Sequence, residues 1–526
     1  MTNIVSFKFN EDHWKVIEEF WYKDTRPVVY IIRNTQDSEL YVGETTNIHN
    51  RWKQHSDNPE RKRLDEIFII SDVEFNKSAT LDTESRLIQY LHAEEKYILQ
   101  NRNLWLQNHN YFDREKYKSK FEVLWEKLKE MGIARHSLDN LKNKEIFKYS
   151  PYKNLNIDQY SVVEDIYNHI THWLESTFLV HGKPWTWKTI VAIFLLKYLK
   201  EQDETKDLKI WLVVPMTSLR STIKKVFKWI KWLKPNMVIW PSDVKEWYDI
   251  LIVDEAHRLK QRKNLAMYGA FDKMNASLWL GNEGTELDWI MRKSKKQIFL
   301  YDENQTIKPS DIWAGKIWGI KSKEYVLNIQ ERVQWWEEYL NFIDSIFAEY
   351  PKKLKDFSVK RYDLRLFSNF YDFQNIIFEK DKDEWLSRIV AGYAWERKTK
   401  DKKKWIKYDF EIDWYKLLRN TILENRPNSP NAINEIWCIH TIQWYDLNYV
   451  WVIIWPELSY DPIAKKIKVI GNNYRDFNWR RGVQNHEELE RYIINIYKVL
   501  LTRWVKWTYI YIVDEELRKH LNDLLK

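Results

Sequence analysis

The chain has 526 residues, 44% hydrophobic and 30% charged, with 84 basic against 76 acidic residues and a net charge of +8; that length predicts about three domains of ~150 residues, and the mild basic excess is compatible with a phosphate-binding groove without establishing one. A single cysteine, Cys438, excludes an internal disulfide framework and a cysteine-rich zinc site, and reads as a buried thiol in a reducing compartment. Lys8, Glu11, Asp12 and Lys15 interrupt the first residues, and apolar runs such as 190–196 fall short of the ~20 residues that span a bilayer, so no signal peptide and no membrane partner are expected, and the expected location is the cytoplasm.

In chain order, 27–33 and 39–42 predict two strands around the polar turn 34–38. Helices are predicted at 47–55, at 83–94 with Leu87, Ile88 and Leu91 on one face, and at 121–131. Residues 1–130 are expected as a first domain and the polar stretch 131–149 as a linker. From Ser150 the pattern changes. A strand at 178–180 precedes a long apolar helix from Thr189, and strands recur at 209–214, 249–253, 297–301, 450–454 and 508–513. Continuous apolar strands separated by helices predict parallel sheets covered on both faces. The length implies two tandem lobes, 150–320 and 321–526. The expected fold class is α/β, a small α/β module followed by two tandem P-loop lobes with parallel sheets.

Glycine and tryptophan depart from normal usage in opposite directions. There are 11 glycines and 30 tryptophans, where ordinary usage predicts about 37 glycines in this length. Tryptophans stand at turn positions, as in Trp240-Pro241, Trp455-Pro456 and Asn478-Trp479, and in the unexplained pair Trp335-Trp336. The expectation is that many of these positions are glycines whose UGA codons are rendered as tryptophan. Trp125, in a helical run, and Trp395, in an aromatic cluster, suit a genuine indole. The alternative is a truly tryptophan-rich protein.

That expectation bears on one segment above all. After Val180 comes His181-Gly182-Lys183-Pro184-Trp185-Thr186-Trp187-Lys188-Thr189. With glycine at 185 and 187 it reads GKPGTGKT, a complete phosphate-binding loop. Glycine is demanded because successive backbone N–H groups must wrap the β- and γ-phosphates of ATP, with positive φ and no Cβ. Lys188 would neutralise the β/γ charge, and Thr189 would ligate Mg²⁺ at the helix start. About sixty residues on, Ile250-Leu251-Ile252-Val253 runs into Asp254-Glu255-Ala256-His257. A carboxylate pair at the end of an apolar strand suits Mg²⁺ binding by Asp254 and polarisation of the attacking water by Glu255.

From about Phe147 onward the chain resembles the Schlafen group 3-like DNA/RNA helicase domain, a superfamily 1 relative. The resemblance implies RecA-like lobes and adds site residues by motif. Gln159 is similar to the adenine-reading glutamine ahead of the P-loop. The run Phe299-Leu300-Tyr301-Asp302-Glu303-Asn304-Gln305 is similar to the third motif, with Gln305 sensing the γ-phosphate. Gln330-Glu331-Arg332 is similar to the fourth and Leu500-Leu501-Thr502-Arg503 to the sixth, so Arg332 and Arg503 are the candidate arginine fingers. His440-Thr441-Ile442-Gln443-Trp444-Tyr445-Asp446 stands where the fifth would couple the nucleotide site to a bound strand.

The first unit resembles the GIY-YIG nuclease fold over about 100 residues. Val28-Val29-Tyr30 stands for the first triplet and Tyr41-Val42-Gly43 for the second, with Arg51 following at the family's spacing. Thr83-Glu84-Ser85 opens the helix that carries the metal-binding glutamate in this family, and Asn101 or Asn103 is the late supporting asparagine. Phosphodiester hydrolysis needs a nucleophile activator, a divalent metal and a cation for the phosphate. Tyr41 or Tyr30 would help deprotonate water, Glu84 would bind one Mg²⁺, Arg51 would hold the scissile phosphate, and His55 would assist. The basic cluster Arg61-Lys62-Arg63 either tracks phosphates or is a solvated face, and 398–404 reads as an exposed charged loop.

The resulting expectation is an ATP-dependent helicase-like motor joined to a Mg²⁺-dependent endonuclease, acting on DNA rather than RNA, in defence or repair. Two alternatives stay open: a nucleotide-sensing ATPase that gates partner binding, and a nuclease with a dead P-loop if the tryptophans are genuine. Oligomeric state is not legible.

Overall fold

The computed structural model describes residues 2–10, 26–36, 38–102, 111–172, 176–182, 186–265, 267–302, 305–327, 334–357, 364–383, 387–393, 395, 408–412, 414–419, 432–442, 447–476, 480, 483, 485–502 and 504–526. It is α/β, with one mostly antiparallel sheet followed by two largely parallel ones. No helix among the described residues is long and apolar enough to cross a membrane.

The first sheet holds β1 (Asn3–Lys8), β2 (Val28–Arg33), β3 (Glu39–Thr45), β4 (Glu66–Ser71) and β5 (Ile98–Leu99), in the order β1-β4-β2-β3-β5. β2 and β3 form the expected hairpin, with Tyr30 opposite Gly43 and Ile32 opposite Tyr41. Alternation splits the side chains between two cores. Val28, Tyr30, Ile32 and Tyr41 pack with Ile48 and Trp52 of α1 (Ile48–Ser56). Val29, Ile31 and Val42 face α2 (Lys77–Ala93), which begins six residues before the predicted start because Asn76 caps it by accepting from the Ala79 N–H at 2.9 Å. α3 (Arg114–Glu130) buries Trp125 completely, and its indole N–H donates to the His136 carbonyl at 2.9 Å.

The stretch expected as a linker is helical. α4 (Leu138–Asn143) and α5 (Glu145–Lys148) bury Leu141 and Ile146 in the same core as Val29 and Val42. That core continues through α6 (Ile157–Thr171), β6 (Thr177–Gly182), α7 (Lys188–Glu201), β7 (Ile210–Val213) and α8 (Thr217–Phe227). The first sheet and the first parallel lobe therefore share one apolar interior. Polar contacts cross the same junction: Ser85 with Asn154 at 3.1 Å, Thr222 with Glu145 at 2.9 Å, and Lys231 with Glu60 at 3.1 Å.

The second sheet adds β8 (Val238–Ile239), β9 (Tyr248–Val253), β10 (Ser294–Tyr301) and β11 (Lys323–Leu327), ordered β11-β6-β10-β9-β7-β8 with every pairing parallel. β10 lies between β6, which leads into the P-loop segment, and β9, which leads into the acidic pair. The third sheet runs β12-β20-β17-β13-β16-β15-β14, parallel except for β14 with β15. Its strands are β12 (Leu364–Phe367), β13 (Ser387–Ala391), β14 (Phe410–Ile412), β15 (Tyr415–Arg419), β16 (Glu435–Cys438), β17 (Leu447–Ile454) and β20 (Trp504–Ile512); β18 (Leu458–Asp461) and β19 (Lys466–Val469) form a separate hairpin. Its core takes apolar residues from α9 (Gln334–Ile346), α10 (His486–Leu501) and α11 (Glu515–Leu525). Ile307, from the chain just after β10, is also buried there.

Two tryptophans sit where the backbone suits glycine. Trp187 and Trp279 have φ of +58° and +56°, a region that costs an L-residue about 1–2 kcal/mol. Trp279 is 90% exposed, so its indole recovers little by burial. Trp289 behaves as a true tryptophan, buried and donating to Asn275 Oδ1 at 2.6 Å.

The connection between β17 and β18 carries a buried acid. Glu457 accepts from the Tyr497 hydroxyl at 2.5 Å, and burial pushes its pKa from 4.5 to about 7. Between those values the fold keeps a proton that the unfolded chain has lost, so stability falls as pH rises from about 4.5 to about 7. At ~1.4 kcal/mol per unit, the loss is on the order of 3 kcal/mol. Thermal melts of Glu457→Gln are expected to match the parent at pH 4.5 and to exceed it at pH 8; equal melting at pH 8 would show that the carboxyl ionises at no cost.

Candidate functional site

Two clusters gather the residues singled out in the sequence. The first lies on the α1 side of the amino-terminal sheet. Because Tyr30 is opposite Gly43, Tyr30 and Tyr41 project from one face, with ring centroids 6.2 Å apart. Gly43 is required: a Cβ there would stand 2.2 Å from Tyr30 Oη. α1, capped by Asn47, brings His55 and Arg51 to the same face. The Tyr30 oxygen lies 2.7 Å from His55 Nε2 and accepts from Arg51 Nε at 3.2 Å.

Burial pushes the Tyr30 pKa well above its ordinary value, with Tyr41 adding to the rise and Arg51 opposing it. Burial, then Arg61 and Arg51, pull His55 down to about 3, so its ring is neutral. Of the two late asparagines, Asn101 bonds both faces of the Val42 peptide, accepting from its N–H at 3.1 Å and donating to its carbonyl at 2.7 Å. It thereby holds β3 between Tyr41 and Gly43. Asn103 lies outside the described residues.

Glu84 points from α2 toward this cluster, 5% exposed. Burial, then the neighbouring Glu44, push its pKa to about 8, against the pull of Lys77 and Arg51. Glu44 pairs with Lys77 and accepts from Thr80 Oγ1 at 3.4 Å. Glu44 was not singled out from sequence, although it directly follows the second triplet. Among the described residues no three His, Cys, Asp or Glu side chains form a metal cage. A Mg²⁺ here would rest on Glu84, with phosphate oxygens and water completing its shell, an arrangement this ion tolerates.

The second cluster forms where β6, β9 and β10 end. A Cβ on Gly182 would stand 2.2 Å from Thr186 Oγ1, so the chain turns tightly there. Lys188, the first residue of α7, is buried and donates to the Gly182 carbonyl at 2.5 Å and to Asp302 Oδ2 at 3.2 Å. Gln305 Nε2 donates to the same Asp302 oxygen at 2.6 Å. Asp302 was quoted within the third motif but given no role; as the resting partner of the P-loop lysine it is a functional candidate.

Asp254 is fully buried. Burial, then Glu255, push its pKa to about 7, while a hydrogen bond from Thr189 and the charge of Lys188 pull it down. A buried carboxyl beside a hydroxyl at a helix start is a donor set that fits Mg²⁺. Glu255 has a φ of +53°, and its Oε2 lies 2.9 Å from His257 Nε2.

Gln159 is engaged by the protein itself in this structure. Gln159 does not present a free amide for a base. Its Oε1 accepts from the Asn156 N–H at 3.0 Å in a capping box, and its Nε2 donates to the Thr186 carbonyl at 3.0 Å. With 1% of its surface exposed, it braces the phosphate loop. Lys183, Pro184, Trp185, Arg332 and Arg503 lie outside the described residues, as does 443–446 of the fifth motif.

α7 links the clusters. Its far end buries Lys197, which donates to the Asn101 carbonyl at 3.3 Å and pairs with Glu201. On the other side, Asn495 of α10 donates to the Thr306 carbonyl at 3.1 Å, next to Gln305.

Residues 175–514 match the Schlafen group 3, DNA/RNA helicase domain, and residues 26–110 match the GIY-YIG catalytic domain. The uncharacterized protein YPL245W of Saccharomyces cerevisiae is 28% identical over 306 residues, 52% of this chain and 64% of the yeast protein. The chain thus spans less than two thirds of that curated relative. Among solved structures, the helicase MrfA bound to DNA shares 11% identity over 70% of this chain and 51% of its own, with a TM-score of 0.29. A Bacteroides Pif1 helicase in complex with ADP-AlF3 and single-stranded DNA shares 10% over 57% and 87%, with a TM-score of 0.25. Those scores are too low to bear on function.

Proposed function

Because the chain belongs to the Schlafen group 3 DNA/RNA helicase domain family and carries a GIY-YIG catalytic domain match at residues 26–110, we propose that it is an ATP-driven motor on nucleic acid joined to a Mg²⁺-dependent endonuclease. We assign 1–130 to the nuclease, 150–320 to the first motor lobe and 321–526 to the second. The observation that carries the reading is the resting place of Lys188, a buried ammonium held on Asp302 between the phosphate loop and the acidic pair.

On nucleotide binding Lys188 exchanges Asp302 for β- and γ-phosphate oxygens. Asp302 is then released, and Gln305, whose amide it holds, becomes free to follow the γ-phosphate. Two residues beyond, Ile307 is packed in the second lobe's core, so the exchange is felt there. Thr189 and Asp254 would hold Mg²⁺, which supplies charge neutralisation at the phosphates. Glu255, beside His257, orients the attacking water, and Arg332 and Arg503 complete the site as arginine fingers.

In the nuclease, Arg51 binds the scissile phosphate, Tyr41 helps take the water's proton, and Glu84 would hold a divalent ion, which would offset charge on the phosphate. DNA is the favoured substrate.

ATP turnover, measured with glycine at positions 185 and 187, is expected to rise at least about tenfold on adding single-stranded DNA. A flat response to both DNA and RNA would leave a nucleotide sensor in place of a motor.

A further inference from the structure

The loop after α1 brings a second arginine to the nuclease cluster. The Arg61 guanidinium lies over the Tyr41 ring, 3.8 Å from its centroid, and its Nη1 contacts His55 Nδ1 closely and stands farther, 3.4 Å, from His55 Nε2. The loop is firmly held. Arg61 N–H donates to the Asn58 carbonyl at 3.0 Å, Gln100 Nε2 donates to the Glu60 carbonyl at 3.3 Å, and Glu60 pairs with Lys231 of the first lobe at 3.1 Å.

A guanidinium has N–H donors and no acceptor, and a neutral imidazole has one nitrogen of each kind. The nitrogen nearer Arg61 can therefore only accept. Nδ1 is the acceptor, and the ring proton resides on Nε2. That Nε2–H points at Tyr30 Oη, 2.7 Å away, and Arg51 Nε–H points at the same oxygen from 3.2 Å. With both neighbours donating, the phenol hydrogen of Tyr30 has no acceptor in this trio and turns away from it.

We propose that Arg61 is a positioning residue for the nuclease: by fixing the His55 tautomer it turns the Tyr30 hydroxyl hydrogen away from His55 and Arg51, so that it can donate to a substrate oxygen. The inference rests on the nuclease reading above. The groups that face His55 are Tyr30, Tyr41, Arg51 and Arg61, and the two arginines favour the neutral ring that the tautomer requires.

The test uses the full chain with ¹⁵N-labelled histidine, His55 being assigned by its loss in His55→Gln. Long-range proton–nitrogen correlation is expected to show an unprotonated Nδ1 and a protonated Nε2 in the parent. Arg61→Gln offers an acceptor, so the ring is expected to lose that preference. Arg61→Lys, which has only donors, is expected to keep it. Cleavage should follow the tautomer: kcat falls about 10- to 100-fold in Arg61→Gln with KM nearly unchanged, and Arg61→Lys recovers most of it, the scale of losses seen when a supporting partner is removed. A protonated Nδ1 in a parent that cuts overturns the inference alone. So does an Arg61→Gln that raises KM at constant kcat, which would make Arg61 a substrate contact. A parent with the pinned ring that cuts no nucleic acid overturns the nuclease reading and the catalytic part of the inference with it.

Discussion

Replacing Trp185 and Trp187 together with glycine is expected to raise ATP hydrolysis at least about 100-fold over the chain as written, the scale attached to one well-placed charge-stabilising group. Trp187 has a φ of +58° at the start of α7, immediately before the buried ammonium of Lys188. Glycine adopts that conformation freely. It also removes the side chain from a loop whose backbone N–H groups must close on phosphate. Adding Lys188→Ala to the glycine variant is expected to abolish the gain. Trp125→Gly is the contrasting control: its indole is fully buried and bonded to the His136 carbonyl, so the variant is expected to lose about 3–5 kcal/mol of stability in a denaturant titration. The gene offers an independent check. UGA codons at 185 and 187, with UGG at 125 and 395, would establish glycine in the natural protein. UGG at all four, together with no gain from glycine, would leave the nuclease as the active half.

Glu84→Gln is expected to lower cleavage about 1000-fold without lowering the melting temperature. Deleting the main carboxylate from a single-metal site removes the charge that holds the ion and, with it, several kcal/mol of transition-state stabilisation. The fold itself does not need that charge. Burial and Glu44 hold the carboxyl at about 8, so near neutral pH it is largely protonated in the absence of metal, and glutamine has the same shape. A plasmid-nicking assay beside a thermal melt measures both. Undiminished nicking by Glu84→Gln would remove Glu84 from the metal site, and a large fall in melting temperature would recast it as a structural residue.

Legibility in the sequence followed periodicity. The hairpin of β2 and β3 and the strands β9 and β10 were readable because apolar runs end at polar turns. β1 and β4 went unnamed: β4 is a short run, Glu66-Ile67-Phe68-Ile69-Ile70-Ser71, and only its pairing with β1 and β2 distinguishes it from a buried helix segment. Motif spacing named Tyr30, Arg51 and Glu84 as candidates, with His55 as an assistant, and the structure brings Tyr30, Arg51 and His55 together. Spacing could not assign Arg61, ten residues past Arg51 in a basic cluster that reads equally as phosphate-tracking or as solvated surface, to the tyrosine cluster, nor Asp302, whose role depends on β10 lying beside β6. Gln159 is a different case. The run Asn156-Ile157-Asp158-Gln159 is also a capping box, and the local bond occupied the amide that the family pattern reserves for the base. Polarity alone does not reveal that Leu141 and Ile146, within the stretch expected as a linker, join a core.

The contact between Lys197 and Asn101 has a geometric consequence. Nine residues of helix separate Lys188 from Lys197, about 14 Å, and both ends are packed into one interior. A blade on a tether would sever a strand anywhere within its swing. A blade clamped to the first lobe through α7 keeps a constant offset from the strand that the lobes grip, so it works as a gauge. Under the proposed activity, the distance from a stalled motor to the cut will be a fixed number of nucleotides, the same on every sequence, and cutting during movement will leave fragments whose lengths repeat with the motor's stride.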